Sequence, residues 1–359
     1  MLEACAHRRS KQQLGLLDLV RSNVTFVFTK GTRLCRVFTL MYETEISLIL
    51  RKYYKVLQIS RRCKFEAAVF GTGESHRNFL IRADGKKFVL RLGMNKKSSG
   101  GLRAEFENLL CLPPNTGPKP HVFDESGLLL PKPFSILSYI EGRHIREWSN
   151  AHLTTHGRRL ATLHKKQYPW FESPKRRVFD LAMRFRGMAR ECERFTRDDE
   201  FLALLFRDAG LVIQTHNALF LSRTSFSLIH GDLYADNILF RGPSVRYLDW
   251  ELMTTGDPAE DLARFYCHNF AFDPWYIRLS EDQLKLMLDA YRLVREDETL
   301  DQRVRILNIH YHCGDLLYFK RKLARFSSRS SAFPRVHYEK ASEGLALSLR
   351  QTLDRSLHA

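Results

Sequence analysis

The sequence lacks any stretch of 18 uncharged apolar residues, and its N-terminus lacks the apolar segment typical of a secretory signal peptide. The first absence predicts that the chain has no membrane-spanning helix. The seven cysteines are odd in number, widely spaced and form no Cys-x-x-Cys pair, so a disulfide framework is not expected. These absences together predict a cytoplasmic protein with reduced thiols, and they leave its oligomeric state open.

The charge of the chain is strongly positive, with 57 Lys and Arg against 40 Asp and Glu and a net charge of +17. A surplus of this size would suit a nucleic acid or an anionic membrane as a partner. Residues 1–64, however, contain 13 basic and 4 acidic residues, so +9 of the charge lies in this first part. No basic stripe interleaved with aromatic residues is present, so the sequence does not favour nucleic-acid binding. At 359 residues and 44% hydrophobic content, the chain is long enough for two lobes with sizeable cores.

The most informative part of the sequence is HGDLYADNILF at residues 230–240, followed by YLDWE at residues 247–251. Asp232 and Asn237 stand five residues apart, which is the spacing between the base and the metal-binding amide of kinase catalytic loops. Asp232 could therefore orient or deprotonate an acceptor hydroxyl, and Asn237 could hold a Mg²⁺ ion. Phosphoryl transfer from a nucleotide requires these groups, because its catalysis is largely positioning and charge neutralisation.

A hairpin is predicted to join these two segments. Residues 241–244 (Arg-Gly-Pro-Ser) have the composition of a turn, and residues 245–248 are typical of a returning strand. Such a hairpin would bring Asp249, a second hard oxygen ligand, close to Asn237. The alternative is a hydrated turn with incidental carboxylates, and the agreement of so many parts argues against it.

These segments, together with GDPAEDLARF at residues 256–265, resemble the aminoglycoside phosphotransferase and choline kinase superfamily, the small-molecule relatives of protein kinases. The resemblance extends over residues 65–270 and is strongest over residues 230–265. It implies an α+β, two-lobed protein-kinase-like fold, with a small antiparallel-sheet N-lobe and a larger, mainly helical C-lobe. It also implies a kinase that uses ATP or another nucleoside triphosphate, with Mg²⁺, to phosphorylate a hydroxyl of a small molecule.

Three segments are predicted along the chain. Residues 1–47 form a basic N-terminal extension of unknown role, with a possible strand at residues 24–28. Residues 48–138 form the nucleotide-covering N-lobe, in which the Asp-Gly turn at residues 84–85 predicts a hairpin. Residues 139–359 form the helical C-lobe with the catalytic loop and the acceptor site.

The N-lobe carries the residues that the resemblance assigns to the nucleotide. The loop of Gly71, Gly73 and Ser75 would bring backbone amides to the phosphates. The family commonly has Ser-Asn here, whereas this chain has Ser75-His76, which leaves open which side chain meets phosphate. Arg91 occupies the place of the phosphate-contacting lysine of kinases. Choline kinase-like members of the family also have arginine at this place.

Two further N-lobe assignments follow from the resemblance. The carboxylate partner of Arg91 would be Glu105 or Glu107, since both lie in one predicted helix. The backbone of Tyr139 and Ile140 would form the hinge between the lobes and meet the adenine.

In the C-lobe, the residues assigned to catalysis are Asp232, as base or orienting group, and His230, as support for the loop's geometry. Asn237 and Asp249 would hold Mg²⁺, and Glu251 would be a further ligand or an acceptor contact. The resemblance further implies that Asp261 steadies the catalytic loop through backbone amides, and that His164 is a packed structural histidine.

The remaining C-lobe sequence predicts helices, together with an aromatic group that either lines an acceptor pocket or belongs to the core. The predicted helices lie at residues 151–166, 198–222, 281–294, 306–325 and 338–353, and the aromatic group is Tyr266, His268, Trp275 and Tyr311. The partners expected are a nucleotide and a small-molecule hydroxyl acceptor whose identity stays open, as does the choice between ATP and GTP. Two alternatives remain: a kinase-fold binding protein without turnover, and a kinase whose basic leader docks on a macromolecular acceptor.

Overall fold

The computed structural model describes residues 33–70, 76–165, 179–196, 199–223, 225–267, 279–327 and 334–357. A five-stranded antiparallel sheet in the N-terminal part is followed by a mainly helical C-terminal part. The elements of the first part are α1 (Arg33–Leu57), β1 (Phe65–Val69), β2 (His76–Ala83), β3 (Lys86–Gly93), α2 (Lys96–Cys111), β4 (Pro120–Asp124) and β5 (Phe134–Ser138).

The second part begins after β5 and holds most of the helices. Its elements are α3 (Asn150–Lys165), α4 (Leu181–Thr196), α5 (Glu200–Thr215), α6 (Ala218–Leu221), β6 (Ser227–Ile229), β7 (Ile238–Arg241), β8 (Ser244–Tyr247), β9 (Thr254–Gly256), α7 (Ala259–Tyr266), α8 (Glu281–Arg292), α9 (Leu300–Ala324) and α10 (Arg335–Leu357). Short 3₁₀ turns, Ala235–Asn237 and Trp250–Leu252, precede β7 and follow β8. None of the helices in the described ranges is long and apolar enough to cross a bilayer.

The sheet places β3 at its centre, in the order β1-β2-β3-β5-β4. Asp84 and Gly85 form the predicted turn between β2 and β3, and both have positive φ angles, of 48° and 72°. A two-residue turn of this kind matches the twist of the strands it joins. Arg91 on β3 pairs with Asn78 on one side and Ser135 on the other, so neighbouring strands support its backbone on both sides.

Helix α1 belongs to the core of the N-terminal sheet. Ile46, Ile49 and Leu50 are buried against strand residues such as Phe79. The boundary predicted at residue 47 falls inside this helix, which spans Arg33–Leu57 in the described part of the chain. The strand predicted at residues 24–28 lies outside the described residues.

The prediction of a single long helix at residues 198–222 is wrong, because the helical structure is interrupted between α5 and α6. The amide of Asn217 explains the break. Its oxygen accepts a hydrogen bond from the backbone N–H of Ala182 (3.0 Å), and its nitrogen donates to the Asp180 carboxylate (3.0 Å). These bonds connect the turn to the start of α4, and they satisfy backbone and side-chain groups that a continuous helix would leave unpaired.

The helix start predicted at α8 is confirmed, and α7 begins with a similar pair of reciprocal hydrogen bonds. Asp257 accepts from the backbone N–H of Ala259, while Glu260 accepts from the N–H of Asp257, each at 3.0 Å. Ser280 and Gln283 form the corresponding capping box at α8. Such reciprocal caps satisfy the first backbone donors of a helix. The caps therefore fix where α7 begins, which positions the functional residues on it.

Candidate active site

The β7–β8 hairpin brings together the two predicted metal ligands. Ile238 pairs with Tyr247, and the backbone N–H of Leu248 donates to the carbonyl of Asn237 at 2.8 Å. Asn237 and Asp249 therefore lie on neighbouring segments at one end of the hairpin. Asp249 has a left-handed backbone (φ 62°, ψ 64°), and it precedes the tight 3₁₀ turn that follows.

A buried aspartate on α7 holds the loop of residues 230–237. The carboxylate of Asp261 accepts from the backbone N–H groups of His230 (2.8 Å) and Gly231 (2.9 Å), and from His164 Nε2 (3.1 Å). Burial would raise the pKa of Asp261, but the hydrogen bond from His164 leads the contacts that lower this pKa below its ordinary value. Asp261 is therefore an ionised anchor for the loop, and His164 is packed as the sequence indicated.

His230 is completely buried. Its Nε2 donates to the carbonyl of Leu248 at 2.7 Å, so Nδ1 is left to accept from the backbone N–H of Asp232 at 3.3 Å. This imidazole connects the loop to the end of β8. Its place among the predicted catalytic residues stays a prediction. The structure shows a buried imidazole that is bonded to the backbone of Asp232 and of Leu248.

Asp232 is the candidate base, and its side chain is 25% exposed. Burial raises the pKa of its carboxyl above the ordinary value, while the guanidinium of Arg264, 3.5 Å away, opposes that rise. The backbone carbonyl of Asp232 accepts a 2.8 Å hydrogen bond from Asn237 Nδ2. Because the amide nitrogen is used in this way, the amide oxygen is the atom that Asn237 can offer to a cation.

The N-lobe contributes an arginine that faces the hairpin. Arg91 donates to Glu105 through Nη1, and its Nη2 lies 3.2 Å from Asp249 Oδ1 and 3.1 Å from His76 Nδ1. The guanidinium thus connects a carboxylate on α2 with the candidate metal ligand after β8. An arginine with these partners stays charged and presents a fixed set of donors to phosphate.

The structure places Glu105, and not Glu107, against Arg91. Glu107 is exposed and pairs with Arg103 at 3.8 Å. Burial raises the pKa of Glu105 to about 7, because Arg91 only partly offsets the cost of burying its charge. We expect the carboxylate form, since the contact with the Arg91 guanidinium requires it.

The predicted hinge follows directly after β5. The backbone N–H of Tyr139 donates to the carbonyl of Lys87 at 3.1 Å, and the Ile140 side chain is buried. The ring of Tyr139 packs edge-on against Phe70, with 5.7 Å between the centroids. Gly71, Gly73 and Ser75, the residues predicted to cover the phosphates, lie outside the described residues.

Helix α2 docks on the turn that follows Asp249. Asn108 Nδ2 donates to the carbonyl of Trp250 at 2.7 Å, and Gly101 packs directly on the carboxylate of Glu251. An added Cβ at position 101 would meet the carboxylate oxygen of Glu251, so that side chain would have to move to make room for it. Glu105 and Asp249 are thereby held on opposite sides of Arg91.

Three residues of this site were missed by the sequence reasoning: Arg264, Asp315 and Asn108. Arg264 stands three residues after Asp261, and on a helix this spacing puts both on one face. That spacing is a signal that could have found it. Asp315 and Asn108 come from distant helices and carry no such signal. Of the aromatic group, Tyr266 is buried, Tyr311 packs on Arg264, and His268 and Trp275 lie outside the described residues.

The side chains present fit a Mg²⁺ ion that also binds phosphates. Mg²⁺ prefers oxygen ligands and usually takes one or two from protein, with waters and phosphate oxygens supplying the rest. The amide oxygen of Asn237 and the carboxylate of Asp249 are such ligands, and the hairpin holds them on neighbouring segments. Among the described residues, no group of three or more His, Cys, Asp or Glu side chains is arranged to hold a metal ion by itself.

The sheet, the helical lobe and the Arg91–Glu105 pair facing the hairpin define a two-lobed, kinase-like fold. The chain belongs to the phosphotransferase enzyme family, whose sequence profile matches residues 66–305. Its fold is similar to that of APH(2″)-IIa in a ternary complex with streptomycin and ATP, with a TM-score of 0.55 and 15% identity over 85% of this chain and 97% of that one.

Two other proteins extend the comparison. The fold is similar to choline kinase from Cryptosporidium parvum Iowa II, with a TM-score of 0.61 and 14% identity over 87% of this chain and 96% of that one. A stretch of 51 residues is 51% identical to acyl-CoA dehydrogenase family member 11 of Gallus gallus, and it covers 13% of this chain and 6% of that protein. The structural likenesses confirm the predicted fold, and the family assignment confirms the resemblance.

Replacing Gly231 with alanine is expected to lower turnover at least about tenfold, because it would displace the backbone next to Asp232. Gly231 has a φ of 83°, and an added Cβ would clash with the carbonyl oxygen of Leu252. The measurement is the steady-state rate beside that of Gly242→Ala. Gly242 also has a positive φ, of 56°, but has no atom near the position of a Cβ. Equal rates in the two variants would contradict the prediction.

Proposed function

We propose that this protein is an ATP-dependent, Mg²⁺-dependent kinase that phosphorylates a hydroxyl group of a small molecule. The observation that carries the proposal is the convergence of Asp232, Asn237 and Asp249 at one end of a hairpin, facing the Arg91–Glu105 pair. Membership of the phosphotransferase family supports the reaction class. A structural relative whose structure is a ternary complex with ATP and streptomycin supports the nucleotide and a small-molecule acceptor.

Each residue has a part in this proposal. Asp232 would accept a hydrogen bond from the acceptor hydroxyl, aim its oxygen at the γ-phosphorus and take its proton as the new O–P bond forms. The bond between the γ-phosphorus and the β–γ bridging oxygen of ATP would break in the same transfer, and ADP would leave with the bridging oxygen. Arg91 would bind phosphate oxygens through the guanidinium edge that faces Asp249. Asn237 and Asp249 would hold Mg²⁺, which neutralises charge on the phosphates when it is bound.

The packing around these residues supports their pre-organisation. His230 and Asp261 hold the loop from within the lobe, so Asp232 is presented on a rigid base. Asn108 and Gly101 hold α2 against the turn after Asp249, so the two sides of the site are connected. Positioning of this kind supplies much of the rate enhancement in phosphoryl transfer, where the protein does little covalent chemistry.

The proposal is tested by incubating the full-length protein with Mg²⁺, ATP or GTP, and a panel of hydroxylated metabolites. The panel should include aminoglycosides, choline, ethanolamine, sugar amines, thiamine and uncharged sugars. Products are identified by a mass increase of one phosphoryl group, and Asp232→Ala serves as the inactive control. A phosphorylated product formed only by the wild type would support the kinase. Nucleotide binding without any product, and without phosphate release, would favour a binding protein on a kinase scaffold.

A further inference from the structure

The guanidinium of Arg264 on α7 lies between two carboxylates and two aromatic rings. Its Nη1 is 2.9 Å and 3.1 Å from the two oxygens of Asp315, and its Nε is 3.5 Å from Asp232 Oδ1. The ring centroids of Tyr234 and Tyr311 lie 4.3 Å and 5.0 Å from its Cζ. The carboxylates therefore take the edge of the planar group, while aromatic rings pack against it.

This environment leaves the guanidinium little freedom. An arginine side chain in water has many rotamers, and an exposed ion pair contributes little because that freedom must be lost. Here the Arg264 side chain is 16% exposed and that of Asp315 is 11% exposed, so the pair is largely removed from water. The planar group can also bind a carboxylate and stack on a ring at the same time, which a lysine ammonium cannot do in this geometry.

We propose that Arg264, held in place by Asp315 on α9, is a positioning residue that fixes the orientation of the Asp232 carboxylate. This inference rests on the proposed kinase activity, in which Asp232 is the base. The Asp315 contacts fix the guanidinium, and its remaining edge presents Nε to one oxygen of Asp232. The second oxygen of Asp232 is then the one directed to the acceptor hydroxyl.

Two side chains of α7 hold the Asp232 carboxylate in this arrangement. Asp261 accepts hydrogen bonds from the backbone of the loop, and Arg264, one helical turn later, forms an ion pair with the side chain of Asp232. All partners of the Arg264 guanidinium named above belong to the C-lobe, whereas Arg91 and Asp249 face the nucleotide side. Loss of Arg264 should therefore lower kcat and leave nucleotide affinity near the wild-type value.

The first test compares four variants of the full chain: Arg264→Met, Arg264→Lys, Asp315→Asn and Arg292→Met. Arg292 is the matched control, because it is also a partly buried arginine paired with two aspartates, Asp289 and Asp301, but it lies on α8 away from Asp232. Turnover of Mg·ATP is measured as phosphate transferred to the acceptor found in the screen, or as phosphate released to water when no acceptor is found. Nucleotide affinity is measured with a fluorescent ATP analogue.

We expect Arg264→Met to lower kcat on the order of 100-fold, which is the usual cost of misplacing a catalytic group by about 1 Å. Arg264→Lys should recover part of that loss, since lysine keeps the positive charge but lacks the planar guanidinium whose donors have a fixed geometry. Asp315→Asn should lower kcat about tenfold by loosening the guanidinium. Nucleotide dissociation constants should stay within about twofold of the wild type, as should every value for Arg292→Met.

The second test separates positioning from a general effect on folding. Arg264→Met is introduced into the Asp232→Ala background, and the residual rate is measured. If Arg264 acts through Asp232, the double variant should be no slower than Asp232→Ala alone. A further fall comparable with that in the wild-type background would overturn the inference, as would unchanged kcat in both Arg264 variants. If circular dichroism shows that Arg264→Met does not fold, the same comparison of single and double variants is made with Arg264→Lys.

The outcome for the proposed function is read separately. A wild-type protein without transfer to any acceptor and without phosphate release would refute the kinase, and with it the role of Arg264. A wild-type protein that is active, with Arg264 variants that retain its kcat, would refute only the positioning role.

Discussion

Replacement of Asp232 with alanine is expected to lower phosphoryl transfer by about 10³-fold, within the range that a positioned general base contributes. The substitution should remove the carboxylate and leave the loop in place, because the contacts of Asp261 and His230 hold the loop without using the Asp232 side chain. Nucleotide affinity should change by less than about twofold, since Arg91, Asn237 and Asp249, the residues proposed to hold the phosphates and Mg²⁺, are unchanged in this variant. The expected signature is thus a fall in kcat with little change in nucleotide binding.

The measurement is the steady-state rate together with the dissociation constant of a fluorescent ATP analogue. Asp236→Ala is a suitable control because Asp236 lies in the same loop, is exposed, and pairs only peripherally with Arg146 at 3.2 Å. The control should retain turnover within about twofold of the wild type. An Asp232→Ala enzyme that retains wild-type kcat would show that this carboxylate is not the base.

The parts of the site that could be predicted from sequence are those set by local chemistry. A five-residue spacing, a Gly-Pro turn and a returning strand were enough to place Asn237 beside Asp249, because a hairpin fixes its own register. The Asp84-Gly85 turn worked in the same way, since a tight turn requires residues that tolerate positive φ.

The choice between Glu105 and Glu107 could not be made from sequence. Residues two apart on a helix point in different directions, so which of them meets Arg91 depends on how α2 is rotated against the sheet. That rotation is set by tertiary contacts, among them Asn108 with Trp250 and Gly101 with Glu251. Such contacts join residues more than a hundred positions apart, and no local pattern encodes them.

The partners of Asp232 show the same limit. Arg264 and Asp315 are 51 residues apart, and each resembles an ordinary helix charge when viewed alone. The break at Asn217 has a similar origin, since the sequence there favours a helix and the competing hydrogen bonds come from α4. In both cases a side chain with ordinary propensities takes its role from another element that packs against it in the folded chain.

Replacement of Asp249 with asparagine is expected to abolish the Mg²⁺-dependent part of nucleotide binding and to lower kcat on the order of 10³-fold, as expected for several kcal/mol of lost charge stabilisation. Asparagine is the informative substitution because Asp249 has a φ of 62°, and asparagine tolerates this left-handed conformation better than alanine. The variant therefore keeps the backbone and the side-chain shape and removes the charge.

The same substitution at Asp84 is the matched control, since Asp84 also has a left-handed backbone (φ 48°) but lies in an exposed turn between β2 and β3. Affinity for a fluorescent ATP analogue is measured with excess Mg²⁺ and again with EDTA. For the wild type and Asp84→Asn, Mg²⁺ should tighten binding, because Asn237 and Asp249 would hold the ion and the ion would neutralise charge on the phosphates. For Asp249→Asn the two affinities should converge, since an amide in place of the carboxylate would remove a negative charge that favours the ion. If Mg²⁺ tightened nucleotide binding by that variant as much as by the wild type, the metal would bind elsewhere. The assignment of the hairpin as the metal-binding element would then be wrong.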